Sequence, residues 1–118
     1  NIGIFLLARP EDLKRFFSCV PEIVKKNMTV FVNKGNSHYI EEEIACEEIN
    51  WGRAFSPDKY QADIAGQLKK HNITRVIFIW NNSTGYGYNK IEQEFSKVFP
   101  AVEQMSFDTK NRLNVRRE

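Results

Sequence analysis

A chain of 118 residues has room for one domain and not two. With 42% hydrophobic residues, 27% charged residues and two Trp, four Tyr and nine Phe, it is neither disordered nor fibrous. The longest apolar runs, 2–8 and 76–80, fall far short of the ~20 residues that cross a bilayer, and a net charge of +2 gives no drive toward nucleic acid.

The run Ile2-Gly3-Ile4-Phe5-Leu6-Leu7-Ala8 is apolar without alternation, as a strand covered on both faces reads. Pro10 then suits the first turn of a helix, with Glu11 and Asp12 at its positive end. Leu13, Phe16, Phe17 and Val20 follow at helical spacing, and Pro21 splits the helix before Ile23 and Val24. Met28-Thr29-Val30-Phe31-Val32 reads as a second strand, followed by a loop at 33–36.

Ser37 is placed to cap a helix through Ile40, Ile44, Ala45 and Ile49, with Glu41, Glu42, Glu43, Glu47 and Glu48 as its solvated surface. Ser56-Pro57-Asp58 opens another helix, along which Tyr60, Ile64 and Leu68 face one way. Lys69, Lys70 and His71 suit its negative C-terminal end. Thr74–Trp80 is the clearest strand. A loop at 81–88 leads to a helix marked by Ile91, Phe95 and Val98, ended by Pro100, and Ala101–Phe107 reads as an edge strand.

Strands alternating with helices predict an α/β fold. We expect a three-layer Rossmann-like or flavodoxin-like sandwich with about four mostly parallel strands. The domain is expected to span 1–108, with 109–118 as a basic tail or linker. Roughly 40 residues separate the second and third strands. They hold two helices, or one helix and a short extra strand near Trp51.

Cys19 and Cys46 both lie in apolar-periodic stretches and read as small buried hydrophobes. With His38 and His71 they form no metal-ligand spacing, so no metal site is expected. The sequons at Asn27, Asn72, Asn81 and Asn82 read as by-products of an Asn-rich chain. The first residue is Asn and no leader pattern is visible, so a processed or excised chain in a reducing cytoplasm is the expectation.

In open parallel sheets, ligands bind beyond the carboxyl ends of the strands. Three polar loops share that edge: Ala8-Arg9-Pro10, the segment from Asn33 and Lys34 to Ser37, and the stretch Asn81-Asn82-Ser83-Thr84-Gly85-Tyr86-Gly87-Tyr88. In the last, glycines let the backbone approach a ligand. The Ser and Thr hydroxyls, with the free N–H groups of the next helix, suit a phosphate. Gly85-x-Gly87 lacks the third glycine of the dinucleotide fingerprint, because Lys90 stands there, and no Gly-Lys-Ser/Thr motif occurs. Arg9 and Lys34 are candidate partners for a phosphate or carboxylate. No Ser-His-Asp set or Asp-x-Asp pair assigns a catalytic residue.

One stretch carries a likeness. Arg75-Val76-Ile77-Phe78-Ile79-Trp80-Asn81-Asn82, with the later Lys110-Asn111-Arg112-Leu113-Asn114, resembles a segment of exostosin-type glycosyltransferases. In that family a hydrophobic strand ending Trp-Asn-Asn and an Asn/Arg-rich segment lie near the nucleotide-sugar site. The resemblance implies nucleotide-sugar chemistry, although the family's Asp-x-Asp metal motif is missing here. The expected function is binding of a phosphorylated small molecule, a nucleotide or nucleotide-sugar, within a transferase-like protein. The ligand contacts would be Arg9, Asn33, Lys34, Asn81, Asn82, Ser83, Thr84, Gly85 and Tyr86. A protein-interaction domain using the acidic 41–48 stretch is one alternative. A small nucleotide- or NAD-cleaving hydrolase using Glu11 or Asp12 is the other.

Overall fold

The structure, a computed structural model, describes residues 1–80, 88–107 and 113–115; of 88, 89 and 113–115 it describes the backbone alone. Statements of number or absence below refer to the described residues.

Five strands run parallel in one sheet: β1 (Ile2–Leu7), β2 (Met28–Asn33), β3 (Cys46–Ile49), β4 (Arg75–Trp80) and β5 (Glu103–Phe107). A sixth, β6 (Leu113–Val115), pairs antiparallel with β5. The sheet order is β3-β2-β1-β4-β5-β6. The chain therefore builds outward from β1 to β3, returns across the sheet, and builds outward again from β4. Helices α1 (Pro10–Ser18), α2 (Glu22–Lys25), α3 (Gln61–Lys70) and α4 (Tyr88–Val98) complete the fold. This is an α/β architecture with a mostly parallel sheet between helical layers. The expectation of about four strands is corrected to five parallel strands and one antiparallel.

Strand alternation sorts the core into two halves. Ile4, Leu6, Val30, Val32, Ile77 and Ile79 meet Leu13 and Phe16 of α1, with Val24 of α2 packed alongside. Phe5, Phe31, Val76, Phe78 and Trp80 point the other way, against Ile64 and Leu68 of α3 and Phe95 of α4. Rings dominate this second half. Phe5 lies 5.1 Å from Phe31, 5.6 Å from Phe78, 5.3 Å from Phe55 and 6.1 Å from Phe95, centroid to centroid. Burying each such ring contributes about 1.5–3 kcal/mol.

Both predicted proline effects are present. Pro10 opens α1, and Pro21 is the N-cap of the separate one-turn α2. The Ser56-Pro57-Asp58 start is displaced: α3 begins at Gln61, and 56–60 form a turn before it. That turn is fastened from α4. Glu94 Oε1 accepts from Ser56 Oγ at 2.8 Å and from the Asp58 N–H at 2.9 Å.

The helix expected from Ser37 through Ile49 is absent. Ser37–Tyr39 form a single 3₁₀ turn, and Cys46–Ile49 form β3, paired in register from Val30↔Cys46 to Asn33↔Ile49. A helix here would set Glu43 and Glu47 at i,i+4, where like charges repel. The strand instead gives β2 a second hydrogen-bonded neighbour and buries Ile49. Of the two readings of the long gap, one helix and a short extra strand before Trp51 is the observed one.

The 109–118 segment contributes β6 through Leu113–Val115. The two cysteines are free: Cys19 is exposed and Cys46 is half-buried, so neither is the fully buried hydrophobe expected.

Two glycines give opposite predictions. A Cβ on Gly3 would stand 2.8 Å from Phe31 Cε2 and 3.2 Å from Ile73 Cγ2. A Cβ on Gly66, inside α3, meets nothing within 4 Å. Gly3→Ala should destabilise by about 1–3 kcal/mol through overpacking. Gly66→Ala should stabilise by roughly 0.5–1 kcal/mol through helix propensity. Denaturant unfolding of the two variants checks the signs.

Candidate functional site

The order of the sheet reverses between β1 and β4, which lie side by side from Ile2↔Arg75 to Leu7↔Trp80. The segments that leave these strands at their carboxyl ends lead to helices on opposite faces of the sheet, α1 and α4. In doubly wound sheets the crevice between two such segments is where ligands sit. Here those segments are 8–10 and 81–87. The candidate residues Asn81, Asn82, Ser83, Thr84, Gly85 and Tyr86 lie outside the described residues.

Arg9 is the N-cap of α1 in extended conformation. Its N–H donates to Asp12 Oδ2 at 3.1 Å. Its Nε stands 3.7 Å from the same oxygen and 4.0 Å from Glu11 Oε2. Still, 64% of the Arg9 side-chain surface is exposed, so these pairs hold it only weakly. Asp12 differs: 2% of its side chain is exposed, and its Oδ1 faces Arg15 Nη1 at 3.7 Å. This buried carboxylate at the start of α1 acts as a cap, accepting the N-cap N–H between two arginines. Glu11 is exposed beside it.

Asn33 is engaged within the chain. Its Nδ2 donates to the Gly52 carbonyl at 2.7 Å, and its Oδ1 accepts from the Lys34 and Trp51 N–H groups, both at 2.9 Å. It clasps the end of β2 to the end of β3 and holds Trp51 in the core. Lys34 follows it into a cleft of about 350 Å³ lined also by Glu48, Ile49, Asn50, Asp63 and Gln67. That cleft adjoins α3, whereas Arg9 begins α1 on the other side of the sheet. The two cations leave neighbouring strands at one edge but face opposite layers.

The glutamates separate into different roles. Glu48 Oε2 accepts from the Ser37 hydroxyl at 2.6 Å and the Ser37 N–H at 3.2 Å. These bonds, then one from the Gly35 backbone and the charge of Lys34, hold the Glu48 carboxyl below its ordinary value of 4.5. Glu47 pairs with Lys70 at 3.4 Å and stands 3.6 Å from His71 Nε2. Glu41, Glu42 and Glu43 are exposed. No group of three or more His, Cys, Asp or Glu able to hold a metal ion occurs among the described residues. No helix among them is long and apolar enough to cross a membrane.

Sequence reasoning missed the Asn33, Glu48 and Glu94 clasps. Each joins segments 11 to 38 residues apart. No local pattern reports such pairs. A polar Asn directly after an apolar strand was the only available hint, and it fits a ligand contact equally well.

No family model matches the chain, and no curated protein or solved structure matches it either. The exostosin-type likeness rests on the residues at 75–82 and 110–114 alone.

Cys46 carries a chemical consequence of this site. Burial first, then the charges of Glu48 and Glu47, push its thiol up from 9.0 to about 11. At pH 8 its thiolate is therefore about a hundredfold scarcer than that of an ordinary thiol. Alkylation with iodoacetamide at pH 8, followed by mass spectrometry, should label exposed Cys19 long before Cys46. Equal labelling rates would contradict the burial and charge described.

Proposed function

We propose that the chain is a ligand-binding α/β domain with its site at the reversal between β1 and β4, and that the ligand is a phosphorylated small molecule of the nucleotide or nucleotide-sugar class. The observation that carries this reading is the sheet order itself. The order β3-β2-β1-β4-β5 brings the exits of β1 and β4 together, as in Rossmann-type sheets.

The residues at those exits fit an anion. Segment 81–87 supplies Ser83, Thr84, Gly85 and Gly87 immediately before α4, where helix N–H groups and the helix dipole favour negative charge. Arg9, largely exposed on the other exit, supplies a guanidinium suited to a phosphate or carboxylate. Lys34, the expected second cation, lines the separate cleft beside α3, so it adds only longer-range positive charge to this site. Asn33 contributes to this reading as the clasp that fixes the Lys34 loop. The likeness at 75–82 favours a nucleotide-sugar among nucleotides and a transferase as the larger setting. Asp12 is taken up as a cap, so no residue of this site is assigned to a bond-breaking step.

Thermal unfolding against nucleotides, nucleotide-sugars, NAD and inorganic phosphate, with and without Mg²⁺ or Mn²⁺, tests the reading. A ligand at a hundred times its dissociation constant adds ~2.7 kcal/mol, a rise of several degrees in Tm. The rise should vanish in the Asn82→Ala/Ser83→Ala variant and shrink in Arg9→Ala. Absence of any shift at millimolar ligand would contradict it.

A further inference from the structure

The missing helix between β2 and β3 leaves a mark on the opposite side of the fold from α3. A regular crossover would lay a helix over this part of the sheet. Here only the irregular segment 40–45 covers it, with a turn closed by the Ile44 N–H donating to the Glu41 carbonyl at 3.0 Å, and an open groove separates that segment from α1 and α2. The groove has two continuous lobes of about 260 and 420 Å³ that share Phe17, Lys25, Glu41 and Ile44. Its floor is apolar, with Leu13, Phe17, Ile40, Ile44 and Met28.

The two walls differ in charge. The α1–α2 wall carries Lys14, Lys25 and Lys26, with Glu22 already paired to Lys25 at 2.8 Å. The opposite wall carries Glu41 and Glu43. Two large apolar side chains are exposed among the described residues, Ile23 at 75% and Tyr39 at 58%. Tyr39 lines the groove from the 3₁₀ turn that leads into segment 40–45, and Ile23 stands on α2 next to Glu22 of the basic wall.

We propose that this groove is the self-association face of the protein, and that its occupant is a second copy of the chain. A surface with one basic and one acidic wall is complementary to itself. A two-fold axis along the groove sets each basic wall over the acidic wall of the other copy. The same axis carries the exposed Tyr39 of each copy over the α1 wall of the other. Apolar burial at the floor and knobs supplies the attraction, and the charged walls set the register. A partner of single charge would meet attraction on one wall and repulsion on the other.

Sedimentation equilibrium of the protein over micromolar to millimolar concentration gives the test. The unaltered chain should form a dimer. Glu41→Lys/Glu43→Lys places two basic walls face to face, and Lys14→Glu/Lys26→Glu places two acidic walls face to face. Each variant should self-associate at least about tenfold more weakly. Mixed in equal amounts, the two should recover a heterodimer, because both wall pairs again carry opposite charge. Tyr39→Ala should weaken the dimer without altering this charge dependence. All these side chains are at the surface, and an unchanged circular dichroism spectrum confirms folding. An unaltered chain that stays monomeric, which would leave the groove to a different partner, overturns the proposal. So does a dimer indifferent to both reversals, or a mixture that fails to associate.

Discussion

Phe5 is the contact on which the rest of the molecule depends. It sits in the middle of β1, and its ring meets rings from β2, β4, α4 and the link between β3 and α3. Four separate pieces of chain are located by one side chain. Gly3, two residues earlier on the same face, leaves the space that the Phe31 ring occupies. Beyond its area, each aromatic pair adds about 0.5–1.5 kcal/mol, so a cluster outweighs rings buried singly. The reversal of the sheet order beside β1 is a consequence. With β1 fixed between β2 and β4, the exits of β1 and β4 must share an edge.

Around that centre the polar clasps set the loops. Asn33 ties the end of β2 to Trp51 and Gly52, and Glu48 ties β3 to Ser37. Glu94 ties α4 to the turn before α3. On the other layer, Phe16 reaches Phe107 at 5.2 Å and joins α1 to β5. Among the connections between the parallel strands, the β2–β3 connection lacks a covering helix, which is why an apolar groove with charged walls remains open there.

The fold class was legible in the sequence because its cues are local. Apolar runs at 2–8 and 76–80 without alternation mark strands covered on both faces, and Pro10 and Pro21 mark helix boundaries. The 37–49 stretch was misread because Ile40, Ile44 and the glutamates imitate a helical pattern. What decides that stretch is the vacant edge of β2, which no local window contains. β6 was read as part of a tail because three residues pairing with β5 carry no periodic signal. The loops at 8–10 and 33–36 are legible in the sequence as polar connections. The clasping role of Asn33 and the opposed facing of Arg9 and Lys34 are not, since both depend on which layer each loop meets.

Native-state hydrogen exchange read residue by residue tests the central role of the β1 cluster most directly. Amides at 4–7 and 76–79 should be the slowest in the chain and exchange only through global unfolding. Amides at 46–49, on the outer strand, should open locally and exchange orders of magnitude faster. Protection of β3 equal to that of β1 and β4, or local opening of β1 itself, would contradict the account.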